Sequence, residues 1–136
     1  MGEIISMNGL RGWIIFAWIA VPTVMYGGYS LIRLISRGNV LTPAQMNFFR
    51  AGHAHAGVLT LMSLLYYTFL DQTSLPPRLK YAACAAIIVG ILAQSGGFFI
   101  HLFPERASLG TTVTLTGAAI LVFAIAVLIY GLITMP

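Results

Sequence analysis

Gly117-Ala118-Ala119-Ile120-Leu121-Val122-Phe123-Ala124-Ile125-Ala126-Val127-Leu128-Ile129 contains neither a charge nor a polar side chain. The segment around it, about Ser108 to Leu132, has almost no polar residue after Thr116. Crossing a bilayer takes roughly 20 mostly apolar residues in a helix, so this stretch reads as a membrane span. The whole chain agrees. Of its 136 residues 59% are hydrophobic and 7% are charged, whereas soluble domains carry about 25% charged residues. So few charges cannot cover a water-facing surface, and lipid must be the solvent for most of the molecule.

Working back from that stretch, three more segments are long and apolar enough. The first is about Gly12 to Leu34, with Trp13 and Trp18 early, Pro22 in the middle and Arg33 and Arg37 at its end. Pro22 removes a backbone donor and should kink the helix. The second is about Pro43 to Leu70. Thr42 is its expected N-cap, and Pro43 suits the first helical position. At 1.5 Å per residue it is about 42 Å long, so its first turns should protrude into the interface. The third runs from about Leu79 to Phe103, where Pro104 stops it. Residues 71–80 form the one long polar connection, and Pro104-Glu105-Arg106-Ala107 forms a tight turn. The expected fold is all-α: one integral membrane four-helix up-down-up-down bundle spanning 12–34, 43–70, 79–103 and 108–132, with no second domain.

The net charge of +4 comes without a basic run. The cations sit mostly at the ends of apolar segments, which points to interfacial anchoring rather than nucleic acid. Met1–Met7 does not read as a secretory signal, since Glu3 stands where a basic region belongs. Cys84 is the only cysteine, so no intrachain disulfide forms and the thiol reads as helix packing. Tyr66, Tyr67, Tyr81 and Tyr130 are expected in an aromatic belt on the termini side. Arg33, Arg37 and Arg106 balance Arg11, Arg78 and Lys80 across the bilayer; as Arg78 and Lys80 are the close pair of cations in a true loop, the expectation leans to that loop and the termini being cytoplasmic. The compartment expected is a bacterial or archaeal inner (plasma) membrane.

Arg50-Ala51-Gly52-His53-Ala54-His55-Ala56-Gly57 breaks the apolar pattern. Ionisable groups are costly inside a membrane and mark functional sites by default. If successive helices alternate direction, the second begins and the third ends on one side. His53, His55 and His101 then share one depth, with Arg50, Glu105, Arg106, Tyr26, Tyr29 and Arg33 nearby. At 100° per residue His53 and His55 point roughly 160° apart, so a regular helix cannot turn both onto one ion. In the third helix Ala82, Ala86, Gly90, Gln94, Gly97 and His101 fall within a sector of about 120°, a small-residue stripe suited to close helix packing. Hence His101 should face inward and pair with one imidazole of the second helix.

Two histidines from adjacent helices can hold a haem b by its axial positions, with Gly57, Gly96 and Gly97 leaving room for the macrocycle. Two histidines with Glu105, or all three histidines after local distortion, can instead bind Cu, Zn or Fe. Arg50 favours an anionic partner, such as a propionate, a lipid phosphate or Glu105. The candidate cofactor residues are His53, His55, His101, Arg50 and Gln94; the candidate metal ligands are His53, His55, His101 and Glu105. The plainer alternative leaves the histidines, Gln94 and Phe98-Phe99 as interhelical contacts with no cofactor.

Gly52-His53-Ala54-His55-Ala56-Gly57-Val58-Leu59 resembles the His-containing helix of small membrane proteins allied to haem–copper oxidase subunit I. The resemblance covers about 15 residues. It implies a haem or metal at His53 or His55. It does not imply oxygen reduction, because an oxidase core needs more histidines and about twelve helices.

No nucleophile–base constellation and no phosphate loop occurs, and the carboxylates number only Glu3, Asp71 and Glu105. Two functions remain. One is haem or transition-metal binding in electron transfer, sensing or cofactor handling. The other is a small oligomeric transporter or channel, or an assembly subunit, with structural histidines. Either way the expected partners are the lipid bilayer and a second copy or another membrane subunit.

Overall fold

The computed structural model describes residues 2–38 and 40–135, the side chains of residues 2–9 excepted. Met1 and the side chain of Glu3, on which the reading of the N-terminus leaned, lie outside that set. The described residues form four helices: α1 (Gly2–Arg37), α2 (Pro43–Gln72), α3 (Pro77–Ile100) and α4 (Ala107–Ile133). A single 3-10 turn, Pro104–Arg106, joins the last two. No strand occurs among the described residues. α1 continues through Pro22 without a break.

Local chemistry sets the helix ends. The Thr42 hydroxyl accepts from the Gln45 backbone N–H at 3.2 Å, and Gln45 Oε1 accepts from the Thr42 N–H at 2.9 Å. This capping box satisfies two donors that the first turn of α2 would otherwise leave bare. The polar connection after α2 is shorter than expected. Asp71 and Gln72 finish α2, and Arg78, Leu79 and Lys80 belong to the first turn of α3, so only Thr73–Pro76 lie outside helices. Lys80 Nζ donates to the Asp71 carbonyl at 2.9 Å and Thr73 Oγ1 to the Leu70 carbonyl at 2.7 Å. The Leu70 carbonyl also accepts the Thr73 N–H at 3.2 Å, so the turn residue Thr73 and Lys80 of α3 together cap the end of α2.

The most extensive packing is between α3 and α4; α2 packs on α3 and on α1, and α1 leans mainly on α2. The α3–α4 seam is built of glycine. A Cβ at Gly90 would approach the Gly117 carbonyl oxygen to 3.3 Å, and one at Gly97 would meet the Gly110 carbonyl oxygen at 2.8 Å. The small-residue stripe of α3 therefore does its work against α4. The core lies towards the 73–76 turn, where Tyr66, Tyr67, Leu70, Leu75, Ala83, Cys84, Leu121 and Ala124 are buried together. Tyr66 and Tyr67 accordingly leave the aromatic belt assigned to them. Tyr66 donates to the Ala124 carbonyl at 2.8 Å, and Tyr67 is wholly buried. Tyr81 and Tyr130 are exposed. Cys84 packs in the core, as its apolar setting implied.

Polarity runs opposite to that of a protein in water. Thr60, Ser63, Ser95 and Lys80 are buried, whereas Ile19, Leu92, Val122 and Ile133 are each at least 65% exposed. Three helical segments, Leu10–Arg37, Pro77–Ile100 and Pro104–Ile133, are long and apolar enough to cross a membrane. α2 falls short of that group, although its length suffices. Its histidines and its buried Thr60, Ser63, Tyr66 and Tyr67 give it the most polar composition, turned towards the other helices.

Candidate functional site

The histidine run lies in the first half of α2, and helical geometry sends its two imidazoles opposite ways. His53 faces α1, where Gly27 and Gly28 present bare backbone. A Cβ at Gly28 would stand 3.1 Å from Nε2, and one at Gly27 would stand 3.3 Å from Nδ1. Val24 and Met25 of α1, with Gly57, Thr60 and His53 itself, line a cavity of about 210 Å³. His53 is half-buried, and neither ring nitrogen takes part in the hydrogen bonds of the described residues.

His55 faces α3. Its Nδ1 lies 2.8 Å from the Ala51 carbonyl oxygen one turn back. A carbonyl can only accept, so Nδ1 carries the proton and the lone pair of the neutral ring sits on Nε2. The ring packs on Phe98 at 4.8 Å between centroids. His101 caps the end of α3 and stacks nearly parallel on Phe48 of α2, 4.4 Å between centroids at 7°. Its Nε2 stands 3.4 Å from the Thr111 hydroxyl, and a Cβ at Gly110 would meet its Cδ2 at 2.7 Å. Each of these two imidazoles is thus covered by a phenyl ring from the facing helix.

All three histidines occupy the same end of the molecule, but they address three different surfaces. Among the described residues no group of three histidine, cysteine or carboxylate side chains could hold a metal ion. Neither all three histidines nor two with Glu105 form a chelate there; Glu105 is exposed in the 104–106 turn. Between α2 and α3 the seam is closed, since a Cβ at Gly52 would already lie 3.0 Å from the Phe99 ring. Gly97 offers no room for a macrocycle either, being pressed on Thr114 and Gly110 of α4. Gly57 and Gly96 differ from it. The nearest atom to a Cβ at Gly57 is Val24 at 3.6 Å, and nothing lies within 4 Å of one at Gly96. Gln94 sits on the α4 side, with its backbone against Gly117. Arg50 is exposed one turn before His53.

A larger cavity of about 450 Å³ opens between α1, α2 and α3, bordered by Phe16, Thr23, Thr60, Ser95, Gly96 and Phe99 among others. A space of about 90 Å³ beside it, lined by Ser63 and Tyr67, shares the walls Phe16, Ala20, Thr60, Ile91 and Leu92. Sequence reasoning overlooked this crevice and the Gly27–Gly28 notch. Two adjacent glycines inside a span were a readable sign of something large lying against them. The crevice left no such sign, because it depends on where α1 docks.

The chain matches no family model, no curated protein and no solved structure in the comparisons made with each.

Proposed function

We propose that this is an integral membrane protein with four helices alternating in direction across the bilayer, binding a haem or a transition-metal ion through His53. The membrane reading is supported by the exposed apolar side chains and the three apolar helices. The alternation is supported by contacts running in reverse order along α2 and α3, with Phe48 on His101 and His55 on Phe98. The observation that carries the binding is the state of the His53 imidazole: half-buried beside a cavity, against bare backbone, with both nitrogens unengaged. A histidine used only for packing between membrane helices would be expected to hydrogen-bond.

Met25 lines the same cavity. Imidazole with thioether is a donor pair that suits haem iron and Cu(I). When bound, the group would supply one-electron transfer or a site for a small ligand. His53 would hold it, Gly27 and Gly28 would let the ring approach α1, and exposed Arg50 would meet an anionic edge. The test is an absorption spectrum with metal analysis of the full chain, purified after expression with haem, copper, zinc and iron supplied. A Soret band or one equivalent of metal is expected, lost in His53→Ala and kept in His101→Ala. Colourless, metal-free protein would sink the proposal.

A second reading is favoured by the phenyl rings on His55 and His101: structural histidines in an oligomeric transporter or assembly subunit. It predicts that His101→Ala lowers the unfolding midpoint. It also predicts that native mass spectrometry finds a second copy or another subunit bound.

A further inference from the structure

A second cavity adjoins the one at His53, with Val24 and Thr60 as common walls, but His53 itself does not line it. The cavities of about 450 and 90 Å³ share a wall of five residues and form one elongated crevice between α1, α2 and α3. Ile88 borders it beside Tyr67 at one end, and Ser95 and Phe99 border the other. Ser95 lies seven positions after Ile88 on α3, about 10 Å along the axis. The volume falls in the range of small-molecule sites, roughly 300 to 1,000 Å³. Its walls are mostly apolar, with the rings of Phe16 and Phe99 among them.

Two lining residues break that apolarity in the same way. Tyr67 is wholly buried and Ser95 is 5% exposed. Neither the Tyr67 hydroxyl nor Ser95 Oγ has a partner at hydrogen-bond geometry; the Ser63 hydroxyl lies near Tyr67 but donates to the Thr60 carbonyl. A buried hydroxyl left unpaired costs on the order of 1–3 kcal/mol, and native structures rarely tolerate it. Both groups are donors in need of an acceptor. An acyl chain offers none. The rim residues Phe16, Ile19 and Leu92 are exposed on the surface read above as lipid-facing, so the occupant enters from the bilayer.

From these features we infer that the crevice binds a lipid-soluble molecule of the quinone class, a flat ring with carbonyl acceptors for the Tyr67 and Ser95 hydroxyls and an apolar tail leaving between α1 and α3. The inference rests on the membrane reading but not on haem or metal at His53.

The full chain in detergent micelles is titrated with decylubiquinone, and with decylbenzene as the analogue lacking acceptors. Saturable binding near one equivalent is expected for the quinone. Tyr67→Phe and Ser95→Ala should each weaken it about threefold to tenfold, the effect of one lost hydrogen bond, and leave decylbenzene unchanged. Gly96→Leu sets a Cβ where nothing stands within 4 Å, adds bulk at the crevice wall and should abolish quinone binding. His53→Ala should leave the quinone affinity intact, which separates this site from the proposed metal or haem site. The inference is overturned by absent saturable quinone binding. It is equally overturned by hydroxyl variants that bind like wild type while decylbenzene binds equally well, which would mark an acyl-chain crevice. Quinone binding that survives in folded Gly96→Leu would also overturn it. Should Gly96→Leu fail to fold, the two near-isosteric hydroxyl variants still decide.

Discussion

Two interfaces of α3 use neighbouring glycines for opposite purposes. Towards α4, Gly90, Gly97, Gly110 and Gly117 remove side chains so that backbones meet, and the seam is full. Towards α1 and α2, Gly96 faces open space at the edge of a cavity of about 450 Å³. One residue of helical rotation, about 100°, separates Gly96 from Gly97. The α3–α4 seam holds the molecule together; the α1 side leaves room for something else. The histidines follow the same division, with His101 in the full seam and His53 beside an open cavity.

The sharpest way to break that contrast is to substitute the adjacent glycines. Gly97→Val drives a Cβ against the Thr114 backbone nitrogen and the Gly110 carbonyl oxygen. Backbone cannot move aside as a flexible side chain does, so a loss of about 3 kcal/mol or more is expected, at or above the usual range for overpacking. Gly96→Ala should change the unfolding midpoint little. Reversible unfolding in mixed micelles measures both, and equal effects would dissolve the distinction. The next effect contrasts two tyrosines. Tyr66→Phe removes a buried hydrogen bond to Ala124 and should cost about 0.6–1 kcal/mol. Tyr67→Phe removes an unpartnered hydroxyl and should be neutral or mildly stabilising in the empty protein, by the same measurement. Thr42→Ala abolishes the capping box at an exposed helix end. It should cost about 0.5–1 kcal/mol and be visible as faster amide exchange across Ala44–Asn47. The smallest stability effect is expected for Gly28→Ala. Its Cβ meets only the His53 ring, which can tilt, so the change should appear in bound haem or metal rather than in the unfolding midpoint.

Much of the fold was legible in advance because its causes are local. Helix existence follows from apolar length and the start of α2 from Thr42 and Pro43; Pro104 marks the stop after α3, which ends at Ile100, three residues short of the expected Phe103. The opposed directions of His53 and His55 follow from helical angle alone. The polar loop was overestimated because Asp71, Gln72, Arg78 and Lys80 look like loop residues by composition. In the fold Asp71 and Gln72 finish α2, Arg78 and Lys80 open α3, and the Lys80 side chain caps the end of α2 at the Asp71 carbonyl. Tyr66 and Tyr67 were placed at the interface on amphipathic character. Burial against α3 and α4 overrode that preference.

By itself the sequence determined a helical molecule with segments long and apolar enough to cross a membrane, and the opposed directions of His53 and His55, because period, length and charge count are properties of single segments. Tertiary structure alone decided which surface each imidazole meets and which glycines are filled. It alone decided that two residues with unpartnered buried hydroxyls, Tyr67 and Ser95, line a crevice. Those outcomes depend on the docking of α1 and α4 about a shared α2–α3 pair, and no pattern within one helix encodes the position of another.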